Sequence, residues 1–153
     1  MKQRSPSSKL WMQAAAVILL VLLVLAWFVR AETKARDRDE LKIEVADLRS
    51  TAAEARLLSE QTVSGRITRP FFETEIYLLT DKTQAAKQAL DSAAVDAGLE
   101  TKLSQARQLA GQLQTEGEKL SGSFANSAEL NRAKDSLDQL TSSLKELEES
   151  LKR

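Results

Sequence analysis

The sequence predicts an all-α protein with a single N-terminal transmembrane helix, followed by an antiparallel helical bundle or coiled-coil region. Residues 10–29 form an uninterrupted apolar run, and later apolar residues recur at alternating intervals of four and three. That alternation is typical of helices that bury one seam. The 153-residue chain also has only five glycines and two prolines, which disfavours sheets and barrels.

The composition removes most kinds of active site. The chain has no cysteine and no histidine, which excludes disulfides, thiol nucleophiles, imidazole bases and zinc fingers. It contains no P-loop, dinucleotide-binding fingerprint or nucleophile motif. We therefore expect no catalytic residue, metal or cofactor. Basic and acidic residues balance at 22 each, so no general attraction to nucleic acid is expected.

Residues 10–29 (LWMQAAAVILLVLLVLAWFV) have the length and composition of a membrane-spanning helix. They carry no charge, and at a rise of about 1.5 Å per residue a helix of this length matches the hydrocarbon core of a bilayer. Trp11 stands at one end and Trp27 with Phe28 at the other. Amphipathic rings favour the headgroup boundary, so we assign these three residues to the membrane interface.

A cleaved signal peptide is the alternative interpretation of the same segment. A basic leader precedes the apolar run, and Val29-Arg30-Ala31 resembles a small-x-small cleavage site. The run is longer than a usual signal-peptide core, however, and Arg30 falls inside the site. These two features favour retention of the segment as an anchor in the lipid bilayer.

The charges beside the apolar run bear on its orientation. The leader, residues 1–9, contains Lys2, Arg4 and Lys9 and no acid. Basic residues also follow the run in 30–44, but acidic residues are interleaved with them, and long domains cross membranes largely regardless of charge. We expect a single-pass protein, in a bacterial inner membrane, with a cytoplasmic N-terminus and an extracytoplasmic C-terminal region.

Residues 30–64 are predicted to form a stalk helix that continues from the membrane segment without a break. A turn at 65–70 should end it, because Gly65 can adopt a positive φ and Pro70 restricts the preceding residue to extended geometry. The predicted seam of the stalk helix consists of Leu41, Val45, Leu48, Ala52 and Ala55.

Residues 71–121 repeat the same spacing and are predicted to be helical, with a break or a kink at Gly98. The seam changes phase at this glycine. A helix end with a tight turn and a kink within one long helix both account for that change.

Residues 127–152 are predicted to form a C-terminal helix with the most regular repeat in the chain. Asn126, followed three residues later by Glu129, is typical of a capped helix start. The leucine stripe of this helix needs a cover, since burial of each leucine is worth about 1.5–3 kcal/mol. An antiparallel bundle within the chain, such as a spectrin-like bundle, and a parallel coiled coil between chains both provide one. The stripe supplies our first candidate partner-binding residues: Leu130, Leu137, Leu140, Leu144, Leu147 and Leu151.

A second candidate partner site surrounds the predicted turn. Phe71 and Phe72 lie close in sequence to Arg66 and Arg69, which combines aromatic anchors with basic residues, as at many docking surfaces. In the alternative arrangement, the phenylalanines close the end of the bundle and the arginines are solvated.

These features predict a non-enzymatic membrane scaffold or adaptor subunit that binds other membrane or envelope proteins, or a second copy of itself. The plan of basic leader, one membrane helix and periodic helical region resembles bitopic bacterial envelope proteins, including small division-complex subunits and adaptor proteins of transport machines. That resemblance is architectural and implies a role in assembly. The alternative function is a membrane-anchored sensory or signalling module, because helical bundles next to a membrane helix can bind small ligands.

Overall fold

The computed structural model of the protein describes residues 37–152, which form four α-helices. These are α1 (Arg38–Val63), α2 (Arg69–Asp91), α3 (Glu100–Leu120) and α4 (Ser127–Ser150). The predicted all-α class is confirmed for this part of the chain.

The predicted leader (1–9) and membrane helix (10–29) lie outside the described residues, together with the interface residues Trp11, Trp27 and Phe28. Within 37–152, none of the helices combines the length and apolar character needed to cross a bilayer.

The four helices pack as an antiparallel bundle. Each helix contacts the one that follows it, and the most extensive contact, between α1 and α4, closes the ring. Two ion pairs show that α1 and α4 are antiparallel. Arg49 of α1 pairs with Glu148 of α4, whereas Arg56, which lies later in α1, pairs with Asp138, which lies earlier in α4. The predicted helical bundle is therefore confirmed, with both ends of the described chain at the same end of the bundle.

The predicted seams form the core of the bundle. The α1 seam from Leu41 to Ala55 is no more than 4% exposed, and Leu103, Ala106, Ala110 and Leu113 of α3 are equally buried. Four buried threonine and serine hydroxyl groups in this core form hydrogen bonds within their own helices. Each donates to the backbone carbonyl one helical turn earlier. These hydroxyl groups belong to Thr51, Ser59, Thr62 and Thr83.

The start of α1 differs from the unbroken stalk helix predicted for 30–64. Asp37 is extended, with φ −80° and ψ 174°, and its carboxylate accepts a hydrogen bond from the backbone N–H of Glu40 at 2.9 Å. This is an N-cap, which satisfies an otherwise unpaired donor at the beginning of a helix. The predicted stalk lacks glycine and proline, but a helix start that an aspartate caps needs neither residue.

A turn follows α1 as predicted, but it is shorter than 65–70: α2 already begins at Arg69, and the extended residue before it is the N-cap Thr68. Gly65 has a φ of +65°. The N–H groups of Gly65 and Arg66 donate to the carbonyls of Thr62 and Gln61 at 3.0 and 2.9 Å. This pair of bonds is a Schellman motif, which requires a left-handed residue at the position of the glycine. Pro70 lies in the first turn of α2, where its missing N–H costs nothing.

The predicted 71–121 helix consists of two helices, α2 and α3, and their connection begins well before Gly98. Ser92 ends α2, and residues 92–99 lead to α3. Arg107 of α3 donates to the carbonyls of Leu90, Asp91 and Ala93 at 3.0 to 3.2 Å. The Leu90 carbonyl also accepts the backbone N–H of Ala93 at 3.1 Å. Arg107 therefore adds a donor from the neighbouring helix to the carbonyls at this helix end, a long-range contact that local sequence does not predict.

The start of α4 confirms the predicted cap. The side chain of Asn126 accepts a hydrogen bond from the backbone N–H of Glu129 at 3.2 Å. The turn before it is held by Ser123, a buried residue whose hydroxyl donates to the carbonyl of Leu120 at 3.0 Å.

Candidate functional site

The leucine stripe of α4 faces the interior of the bundle. All six predicted partner-binding leucines are between 0 and 7% exposed. A partner chain cannot reach them while the bundle is closed. Of the two covers that the spacing allowed, the structure uses the one within the chain, because α1 and α3 occupy the space beside α4. The candidate residues in the core are Leu130, Leu137, Leu140, Leu144, Leu147 and Leu151.

The candidate site around the predicted turn divides into a buried part and an exposed part. Phe72 is 0% exposed and contacts the ring of Phe124, with 5.6 Å between the ring centroids. The guanidinium of Arg69 lies 5.4 Å from the centroid of the same Phe124 ring, in a cation–π contact. Phe72, Phe124 and Arg69 therefore close the end of the bundle.

Phe71 and Arg66 remain on the surface at the same end. Phe71 is 48% exposed, although it directly follows Pro70 and precedes the fully buried Phe72. Successive residues on a helix point about 100° apart, which sends the two phenylalanines to different faces. Phe71 and Arg66 are available to a partner, whereas Phe72 and Arg69 already have contacts within the chain.

Exposed apolar side chains are distributed unevenly over the bundle. Within 37–152, every large hydrophobic residue that is at least 40% exposed belongs to α1 or α2. The outer surfaces of α3 and α4 carry serine, glutamine and charged residues. Exposed large hydrophobic residues that are concentrated on part of a protein surface are typical of an interaction surface. They are Ile43, Leu57 and Val63 on α1, and Phe71, Tyr77 and Leu78 on α2.

The outer face of α1 carries a second seam that the sequence analysis did not identify. Its members recur at intervals of three and four, offset from the buried seam, and none of them is charged. Ile43 is 62% exposed at one end and Leu57 is 50% exposed at the other. The signal is present in the sequence, but the larger leucines of the inner seam conceal it. We call this set the outer seam of α1: Ile43, Ala46, Ser50, Ala53 and Leu57.

The grooves between helices have the character of solvated surface. The groove between α3 and α4 near the turn is lined by Glu116, Lys119, Glu129 and Arg132. The part of the chain that the structure describes places no group of three acidic side chains in a position to hold a metal ion. The candidate functional site is therefore the α1–α2 surface.

No protein-family model matches this chain, and no curated protein or solved structure matches it either. Its function is therefore argued from its own residues.

Proposed function

We propose that this chain is a non-enzymatic, membrane-anchored scaffold or adaptor subunit whose helical bundle binds partner proteins or a second copy of itself. The predicted segment 10–29 supplies the anchor, with residues 1–9 in the cytoplasm and the bundle on the other side of a bacterial inner membrane.

The observation that carries this proposal is the exposure of large apolar residues on only two of the four described helices, α1 and α2. The bundle buries leucines efficiently in its core, yet it leaves Ile43, Leu57, Tyr77 and Leu78 at least half exposed on α1 and α2. Transfer of a large apolar side chain from water to a fully buried position contributes about 1.5–3 kcal/mol of free energy. A partner that covers this surface recovers part of that free energy, as at the apolar centres of protein interfaces.

Affinity purification of the full chain tests this function. We expect the tagged chain, extracted in mild detergent, to retain at least one companion subunit or a second copy. Leu57→Glu combined with Leu78→Glu should reduce the retained amount by about fivefold or more, since truncation of an interface hot spot costs more than about 1 kcal/mol. Ser104→Glu on the exposed polar face of α3 is the matched control and should retain the companion. Recovery of a lone monomer from the unmodified chain would contradict the scaffold function.

A further inference from the structure

The outer seam of α1 has the spacing of a coiled-coil interface. Ile43, Ser50 and Leu57 occupy a positions of a heptad, and Ala46 and Ala53 occupy the d positions between them. Coiled coils bury residues at these positions by knobs-into-holes packing, and small d residues allow two helix backbones to approach closely. Four of the five side chains of this seam are exposed and that of Ala46 is half-buried, whereas the buried seam of the same helix faces the bundle core.

Charged residues of opposite sign flank the outer seam. The g positions on one side are all basic: Lys42, Arg49 and Arg56. The e positions on the other side are acidic or polar: Asp47, Glu54 and Gln61. Residues at e and g border the interface of a coiled coil and determine the choice and orientation of the partner.

This charge pattern favours a second α1 in parallel orientation. In a parallel pair, each g residue faces the e residue of the next heptad on the other helix, so that Lys42 meets Asp47 and Arg49 meets Glu54. Each contact occurs twice in a two-fold symmetric dimer. An antiparallel pair would instead place g beside g and e beside e, which brings basic residues together and acidic residues together.

We propose that two copies of this chain associate in parallel through the outer seams of their α1 helices. The proposal rests on the proposed scaffold function and names the partner for one part of its surface. The pairing is compatible with the contacts inside each bundle. Arg49 uses one guanidinium nitrogen for Glu148 at 3.0 Å and remains 38% exposed, and a guanidinium has further N–H donors.

The outer seam is short, so we expect the pairing to be stronger between membrane-anchored chains than between chains free in solution. Asp39 and Glu60 stand at the d positions that would extend it, so that only two heptads are free of charge at a and d. Helical contacts of this length are weak between freely diffusing chains. Anchoring two chains in one membrane raises their effective concentration and favours parallel orientation at the same time.

Cysteine cross-linking of the full chain in expressing cells tests the pairing. The chain has no cysteine, so each introduced thiol is the only one present. Identical residues face each other in a parallel coiled coil. Ala46→Cys and Ala53→Cys should each form a disulfide-linked dimer under mild oxidation. Ser104→Cys, exposed on α3, is the control and should remain mainly monomeric. Co-expression of Ser50→Cys chains with Ala53→Cys chains tests the antiparallel arrangement. In that arrangement an a position of one helix faces a d position of the other, so a disulfide would link Cys at 50 of one chain to Cys at 53 of the other.

Charge variants test the proposed orientation independently of the apolar seam. In the Ala46→Cys background, Lys42→Glu should slow dimer formation about fivefold, because two attractive pairs become repulsive. Adding Asp47→Lys to Lys42→Glu restores opposite charges and should restore the rate. Lys145→Glu makes the same charge change on the exposed side of α4 and should leave the rate unaltered.

Disulfide dimers at both Ala46→Cys and Ala53→Cys, with rescue by the charge swap, would support the parallel pair. Dimers found only in the Ser50→Cys and Ala53→Cys mixture, equal cross-linking at Ser104→Cys, or no dimer at all would each overturn it. If cross-linking fails while affinity purification still recovers a companion subunit, self-pairing is wrong and the scaffold function stands. If both experiments fail, both proposals are lost.

Discussion

At the scale of single residues, side-chain position on a helix decides what adjacent residues of one type do. Phe71 and Phe72 are neighbours in the chain, yet Phe72 is 0% exposed against Phe124 and Phe71 is 48% exposed. Gly65 has a similarly specific role, because the Schellman motif at the end of α1 requires its φ of +65°.

The two phenylalanines predict opposite mutational effects on stability. Phe72→Ala should lower the free energy of unfolding by about 3–5 kcal/mol, because it removes a fully buried ring and leaves a cavity. Phe71→Ala should change that free energy by less than about 1 kcal/mol, because half of the ring is already in water. Urea unfolding of residues 31–153, followed by circular dichroism, measures both. Equal losses for the two variants would contradict the assignment of Phe72 to the bundle core.

At the scale of helices, α1 and α4 show how one heptad repeat serves different purposes. The repeat of α4 lies entirely within the bundle, where Leu137 and Leu144 are 0% exposed. Helix α1 carries two repeats on opposite faces, one buried by α2 and α4 and one exposed. A seam of apolar residues shows that a helix has a partner, but it does not show which helix that partner is.

The α4 stripe predicts a large effect of paired charges on folding. Leu140→Glu combined with Leu144→Lys keeps helix propensity high and adds a favourable i, i+4 pair. It also buries two charges in the core, so the bundle should lose several kcal/mol of stability, a large part of the about 5–15 kcal/mol of a typical domain. The matched control, Gln139→Glu with Ser143→Lys, makes the same change at exposed positions of α4 and should leave stability nearly unaltered. Thermal melts of both variants of the 31–153 fragment provide the comparison, and a stable Leu140/Leu144 variant would show that the stripe does not hold the bundle together.

At the scale of the molecule, the described helices form one closed bundle whose exposed large hydrophobic residues all lie on α1 and α2. The core links all four helices, because α1 contacts α2 and α4 while α3 contacts α2 and α4. Arg107 adds polar contacts between α3 and the end of α2, and Arg49 adds an ion pair between α1 and α4. Such connectivity favours cooperative unfolding of the whole bundle.

Residues 31–153 should therefore fold without the predicted membrane segment. We expect a strongly helical circular dichroism spectrum and a single cooperative melting transition. Addition of EDTA should not shift the melting temperature, because the chain lacks the cysteine and histidine ligands of tight transition-metal sites. A random-coil or β-sheet spectrum at 25 °C would refute the independent bundle, and a large shift with EDTA would reveal a metal site.

Local physical chemistry was enough to predict much of this bundle from the sequence. Heptad spacing identified the buried faces of all four helices, and the conformational limits of Gly65, Pro70 and Asn126 placed two of the three connections. Such signals act within one or two helical turns, so a single sequence contains them. The Asp37 cap is equally local, because its carboxylate accepts a hydrogen bond from the backbone N–H of Glu40, three residues later.

Only the tertiary structure decided which seams meet. A leucine stripe buries the same area against its own chain as against another, so the sequence left both covers of α4 open. Carbonyls at the end of α2 accept hydrogen bonds from Arg107, a residue of the next helix, and Phe71 is exposed although Phe72 beside it is buried. The outer seam of α1 became visible for the same reason, since only the assembled bundle shows that Ile43 and Leu57 have no cover within the described chain. Which helices pack together depends on the complementary shapes and charges of residues that are distant in the sequence. The periodicity of apolar residues along one helix does not contain that information.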